Sequence, residues 1–178
     1  GHNPYILPPS LIKTDDKTVQ AVLPKVNHPD LSTIYPPSAQ IVFALAAVTG
    51  NITGFKTVLV LMDLSVCLLI ILLLEKTGSN RDRAVFYAWH PLPILETASS
   101  GHIDTAALMF LFLALLFLER RTVRAKTLSG VMLALSGLVK LFPFVFLPAF
   151  FRLWKGNNRH AAVLSFSVTL VLLCLVFF

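Results

Sequence analysis

The chain is predicted to be all-α, a polytopic helical bundle of an integral membrane protein, and three features of its sequence carry that expectation. Hydrophobic residues make up 56% of its 178 positions and charged ones 13%, with a mean hydropathy of +0.75, far toward the usage of a protein dissolved in lipid. The apolar residues are gathered in long uncharged runs. Most Lys and Arg stand in short breaks between those runs, where membrane topology accounts for the net charge of +6 and nucleic acid is not an expected partner.

Residues 1–37 hold seven of the eleven prolines and read as a turn-rich loop outside the hydrocarbon. The apolar run 38–49 that follows would reach about 18 Å at 1.5 Å per residue, too short for a core of about 30 Å, so it is expected as an interfacial or re-entrant helix. Together they form an external loop, residues 1–54. Residues 55–178 are expected as a transmembrane region of about five apolar segments, the last truncated. The chain opens at Gly1 without a Met, and residues 161–178 carry no charge, so further sequence is expected at both ends.

Within that region, 55–74 is long enough to cross and ends at "EKTGSNRDR". Residues 84–99 are broken by "HPLP", and 104–118 run into "ERRTVRAK". If both cross, the loop with Lys76, Arg81 and Arg83 shares a side with the loop of Arg120, Arg121, Arg124 and Lys126. The positive-inside rule makes that side cytoplasmic and leaves residues 1–54 and "SSGHID" on the other. Residues 127–151 can cross once or fold back at "KLFP". A single crossing is preferred, which sends the third basic loop, "RLWKGNNRH", to the opposite side.

The stretch "HPLPILETASSGHID" carries most of the chemistry. Two prolines interrupt the helix and free carbonyls that lipid does not satisfy, so the break is expected to face protein or a watery cavity. Glu96, His102 and Asp104, with His90, can converge there; the plainer reading is that His102 and Asp104 only cap the next helix. "NHPDLSTIYPPSAQ" brings Asn27, His28, Asp30 and Tyr35 into a stiff loop that can face the same pocket or be merely solvated. Asp63 and Lys140 are ionisable residues inside apolar segments, expected to turn inward and able to pair with each other; Lys140 can instead meet an anionic headgroup. Cys67 and Cys174 sit in apolar runs, so no disulfide and no metal site is expected. "NIT" at residues 51–53 matches a glycosylation sequon, a short and common pattern.

"GHNPY", "NHPDLSTIYPPSAQ" and "AWHPLPILETASSGHIDTAALM", in that order, resemble the bacterial multi-pass glycosyltransferases of the GT-C superfamily over residues 1–150. The likeness is to mannosyltransferase-like members that use a polyprenyl-phosphate sugar. It implies inverting hexosyl transfer without a nucleotide-sugar donor, onto a glycan or lipid acceptor, at the external face of a bacterial inner membrane. It also implies a catalytic Asp just ahead of "NPY", outside this chain, and places "GHID" in the second external loop. Asp104 then matches the second acidic position and His102 its neighbour. The catalytic set expected from this is Asp104, His102 and Glu96, with His28, Asp30, Tyr35, His90 and Lys140 as substrate-binding residues. The bilayer and the lipid-linked donor are the expected partners, no resident cofactor is expected, and a divalent ion is left open. A transporter with broken helices and a non-catalytic membrane subunit are the competing classes.

Overall fold

A computed structural model describes residues 3–118, 120, 122–156 and 158–177. It is helical without strands among those residues. The leader holds one short helix, α1 (Lys17–Val22), and then come α2 (Pro37–Ala47) and α3 (Ile52–Lys76). Two single-turn pieces, α4 (Val85–Ala88) and α5 (Pro91–Pro93), lead through a π-helix, Ile94–Ser100, to α6 (Asp104–Leu118) and α7 (Val123–Val139). A 3-10 stretch, Phe142–Phe146, precedes α8 (Leu147–Leu153) and α9 (Arg159–Phe177).

Two of these helices, α3 and α9, are long and apolar enough to cross a membrane. At 1.5 Å per residue they reach about 37 and 28 Å. Asn51 starts α3 by accepting the Gly54 N–H at 2.7 Å, so the first residue of the sequon serves as an N-cap. The run expected as an interfacial or re-entrant helix is α2, which buries Ala39 and Val42 in a cluster with Leu59 of α3, Ile103 just before α6, Ala106 and Ala107 within it, and Val139 of α7.

Where α6, α7 and α9 touch, small residues and short polar bonds bring the backbones close, beside a core that also buries Leu133, Phe150 and Trp154. Ala107 and Ala114 of α6 face Ser136 and Ser129 of α7, whose hydroxyls donate to the two alanine carbonyls at 2.7 and 2.9 Å. Gly130 of α7 lies against the Ala162 carbonyl of α9, and the Ser165 hydroxyl donates to the Thr127 carbonyl at 2.9 Å. Close backbone approach with hydroxyls as glue is how helices associate where apolar surroundings offer no hydrophobic drive.

These contacts fix the direction of every long element. The Ser136–Ala107 and Ser129–Ala114 bonds make α6 and α7 antiparallel, and Lys76 Nζ, at the last residue of α3, donates to the Leu116 carbonyl near the end of α6. One end of the bundle therefore carries Lys56, the Gly101–Asp104 turn, α2 and Lys140; the other carries Lys76, Arg81, Arg120 and Lys126.

Residues 127–151 do not cross once. The chain leaves helical geometry at Lys140 (φ −150°, ψ 144°), and Phe144 lies so close to Gly137 that a Cβ there would meet its ring at 2.0 Å. The return ends with the Trp154 indole N–H donated to Ser129 Oγ at 3.0 Å, well back toward the start of α7. Residues 140–154 thus fold back along α7, because Pro143 denies the helix an amide and the bulky Phe144 finds space only over a glycine. The third basic loop consequently lies at the same end as the first two. The expected Asp63–Lys140 pairing also fails: Asp63 accepts the Tyr87 hydroxyl at 2.7 Å, while Lys140, at the far end of α7, reaches another acid.

Candidate functional site

The site is built where the broken segment 81–103 runs back beside α3. Arg81 pairs with Glu75 at 3.6 Å near the end of α3, Tyr87 meets Asp63 halfway, and Ser99 arrives beside Lys56 near its start. His90 opens α5 by accepting the Leu92 N–H on Nδ1 at 3.2 Å, a capping bond that suits Pro91 at the first helical position. Pro93 removes a further helical donor, and the chain then winds wide, as the π-helix over residues 94–100.

That π-helix closes on a single carbonyl. Both the Gly101 and the His102 N–H point at Glu96 O, the latter at 2.8 Å, and Gly101 makes the turn in left-handed geometry (φ 76°, ψ 31°). The same turn brings His102 Nδ1 onto Glu96 Oε2. A neutral imidazole that gives Nδ1–H to a carboxylate keeps Nε2 as the acceptor, so Glu96 selects the tautomer of His102 as well as its orientation. Both side chains are partly open to solvent.

Asp104 stands two residues on, as the first residue of α6, where a carboxylate is favoured by the helix dipole. Its Oδ1 accepts Lys140 Nζ at 2.5 Å, so the expected helix-capping position and the ion pair coexist in one residue. Lys56 Nζ donates to the Ser99 carbonyl at 2.5 Å, satisfying one of the carbonyls that the break sets free, and its stem passes beside Gly101. The three expected catalytic residues and Lys140, one of the expected substrate-binding residues, therefore meet at one turn, with Lys56 as an added member. The sequence signal for Lys56 was a lone cation at the head of an apolar helix, with no spacing to link it to residue 99.

The leader gathers at the same end of the bundle but makes its own hollow. Tyr35 packs edge-on against Phe43 of α2, which stacks on Phe55 of α3, and the Tyr5 hydroxyl donates to the Tyr35 carbonyl at 2.6 Å. Burial, and next the neighbouring Cys174 thiol, raise the Tyr5 phenol above its usual range. His28 and Tyr35, with Asn27, line a largely apolar hollow of about 530 Å³ between Pro4 and Ile34. His28 holds φ at 56°, a left-handed conformation uncommon outside glycine. Asp30 is exposed and does not line the hollow. Among the described residues no hydrogen bond or ion pair joins His28, Asp30, Tyr35 or His90 to Glu96, His102 or Asp104, and no group of His, Cys, Asp and Glu forms a metal site.

Neither curated proteins nor solved structures gave a match to the chain. The family model for glycosyltransferase family 87 matches residues 33–178, which takes in α2, the broken segment, the Gly101–Asp104 turn and Lys140. With most of its length covered by that model, the chain belongs to glycosyltransferase family 87.

Proposed function

We propose that this chain is part of a multi-pass membrane glycosyltransferase of GT-C type that moves a hexosyl residue, mannose foremost, from a polyprenyl phosphate to a glycan or lipid acceptor. The reaction takes place on the non-cytoplasmic face of a bacterial inner membrane, where the Asp104 end of the bundle lies. The single observation that carries this reading is the convergence of Glu96, His102, Asp104 and Lys140 on one turn inside the family match. Lipid-borne and water-borne reactants can meet at such a place.

In the transfer, an acceptor hydroxyl attacks the anomeric carbon from the side opposite the phosphate. The bond from that carbon to the phosphate oxygen breaks, the hydroxyl proton passes to a base, and the lipid phosphate leaves with its charge. Asp104, steadied by Lys140, orients hydroxyls of the donor sugar or the acceptor. His102 presents Nε2 to a phosphate or sugar oxygen while Glu96 holds the ring. The Lys140 and Lys56 ammonium groups supply positive charge where the departing phosphate develops negative charge. His28, Asp30 and Tyr35 contact the acceptor from the leader, and His90 contacts the donor from the broken segment.

The reading implies that this chain alone lacks the catalytic Asp and is inactive. The test is therefore an assay of the full-length protein that contains that Asp, in vesicles with polyprenyl-phosphate mannose and a labelled glycan acceptor, beside a second arm supplied with a nucleotide-linked mannose. Transfer from the lipid-linked donor alone is the expected result. Transfer from the nucleotide sugar in lipid-free conditions, or from neither, sinks the reading.

A further inference from the structure

The third basic loop has no part in that site. It lies at the other end of the bundle, where Arg152, Lys155 and Arg159 surround a hollow of about 610 Å³ with Phe151, Trp154 and Gly156. Among the described residues no carboxylate lines it. The three cations are exposed, and among the described residues none of them forms an ion pair.

Its architecture is stiff at the floor and charged at the rim. Trp154 is fully buried, its indole N–H held by Ser129 Oγ, and its ring meets Phe150, Phe151 and Phe166 at centroid distances of 5.7, 5.6 and 6.3 Å. The Lys155 N–H returns to the Leu153 carbonyl at 2.8 Å, and Gly156, at φ 84°, turns the chain so that Arg159 N–H reaches the Gly156 carbonyl at 3.1 Å. Arg152 closes the last turn of α8 and Arg159 opens α9, whose first turn has no acid. A cation at a helix N-terminus is disfavoured by the dipole, and three like charges around one hollow add up to a local positive potential that favours an anion there. Next to the hollow, Phe151 and Leu153 leave 36% and 48% of their surfaces open, apolar area beside the charged rim.

We infer that this hollow binds the phosphate headgroup of an anionic phospholipid from the leaflet at the basic end of the bundle, with the acyl chains lying against Phe151 and Leu153. Charge complementarity selects an anionic headgroup over a zwitterionic one, and adjoining apolar surface selects a lipid over a free phosphate ion. A solvated loop that only obeys the positive-inside rule needs neither the aromatic floor nor the concave shape. The inference rests on the membrane placement proposed above but not on the reaction. Loss of sugar transfer with lipid binding intact would strike the reaction alone.

The experiment is native mass spectrometry of the protein released from nanodiscs that mix phosphatidylglycerol and phosphatidylcholine. The wild type is expected to retain one phosphatidylglycerol in preference to phosphatidylcholine. Each Gln substitution at Arg152, Lys155 or Arg159 should weaken retention about fivefold. The charge-preserving variant R152K/K155R should keep it, which separates lost charge from lost folding. Inorganic phosphate at millimolar concentration should not displace the lipid. Equal retention of both lipids, retention unaffected in the triple Gln variant, loss in R152K/K155R with helicity unchanged, or displacement by inorganic phosphate would each overturn the inference.

Discussion

At the residue scale, the candidate site holds two pairs that differ in kind. Lys140 and Asp104 are held across 36 positions of sequence by one ion pair, and both are partly exposed, so their worth to stability is small, of order 1 kcal/mol or less. In the proposed transfer, their worth is the orientation of a carboxylate. Asp104→Asn is therefore expected to lower sugar transfer by about a hundredfold or more while melting temperature moves little. Unchanged transfer would remove Asp104 from the reacting set. Glu96 acts differently, through His102. If its task is to fix the imidazole, Glu96→Gln should reduce turnover in the wild type by about tenfold yet add almost nothing on top of His102→Ala. Fully additive losses in the double variant would show that Glu96 touches substrate on its own account.

At the scale of elements, the helices meet through glycines whose neighbours decide how much a new side chain costs. A Cβ at Gly130 would come within 2.2 Å of the Ala162 carbonyl, part of a helix backbone that cannot swing away. One at Gly137 would meet the Phe144 ring at 2.0 Å, and a ring can be pushed aside with its loop. Gly130→Val is thus expected to lower stability the more, by roughly 1–3 kcal/mol, measured as a shift in thermal midpoint in detergent. Gly137→Val should chiefly loosen the 140–154 return and expose Trp154, which quenching of its fluorescence would report. The ends of α6 could be read from the sequence because charges stand at both, and the break at residues 90–93 because proline leaves little choice. The return at residue 140 could not, since one proline suits both a kinked crossing and a hairpin, and a glycine opposite Phe144 decides between them. Partners of the isolated acids were equally out of reach: Asp63 finds Tyr87 and Lys140 finds Asp104 through packing that no periodicity encodes. Glu96 and His102 came together legibly because only five residues separate them and Gly101 marks the turn.

At the scale of the whole molecule, the fold-back reconciles topology with charge. With residues 140–154 returning along α7, the loops that carry Arg81, Arg120 and Lys155 share one end, and the leader shares the other with Asp104. A single crossing would have split the basic loops between two sides, against the asymmetry that orients membrane proteins. The difference can be measured in cells with a variant whose free cysteines, Cys67 and Cys174, are replaced by alanine. Single cysteines at Ser79, Lys155 and Leu31 are then challenged with a maleimide that does not cross the membrane. Ser79→Cys and Lys155→Cys should both stay unlabelled until the membrane is opened, whereas Leu31→Cys should react at once. Labelling of Lys155→Cys together with Leu31→Cys in intact cells would restore the single crossing. The headgroup site would then belong to the wrong leaflet, so this one pattern of reactivity constrains the bundle, its orientation and both of its ends.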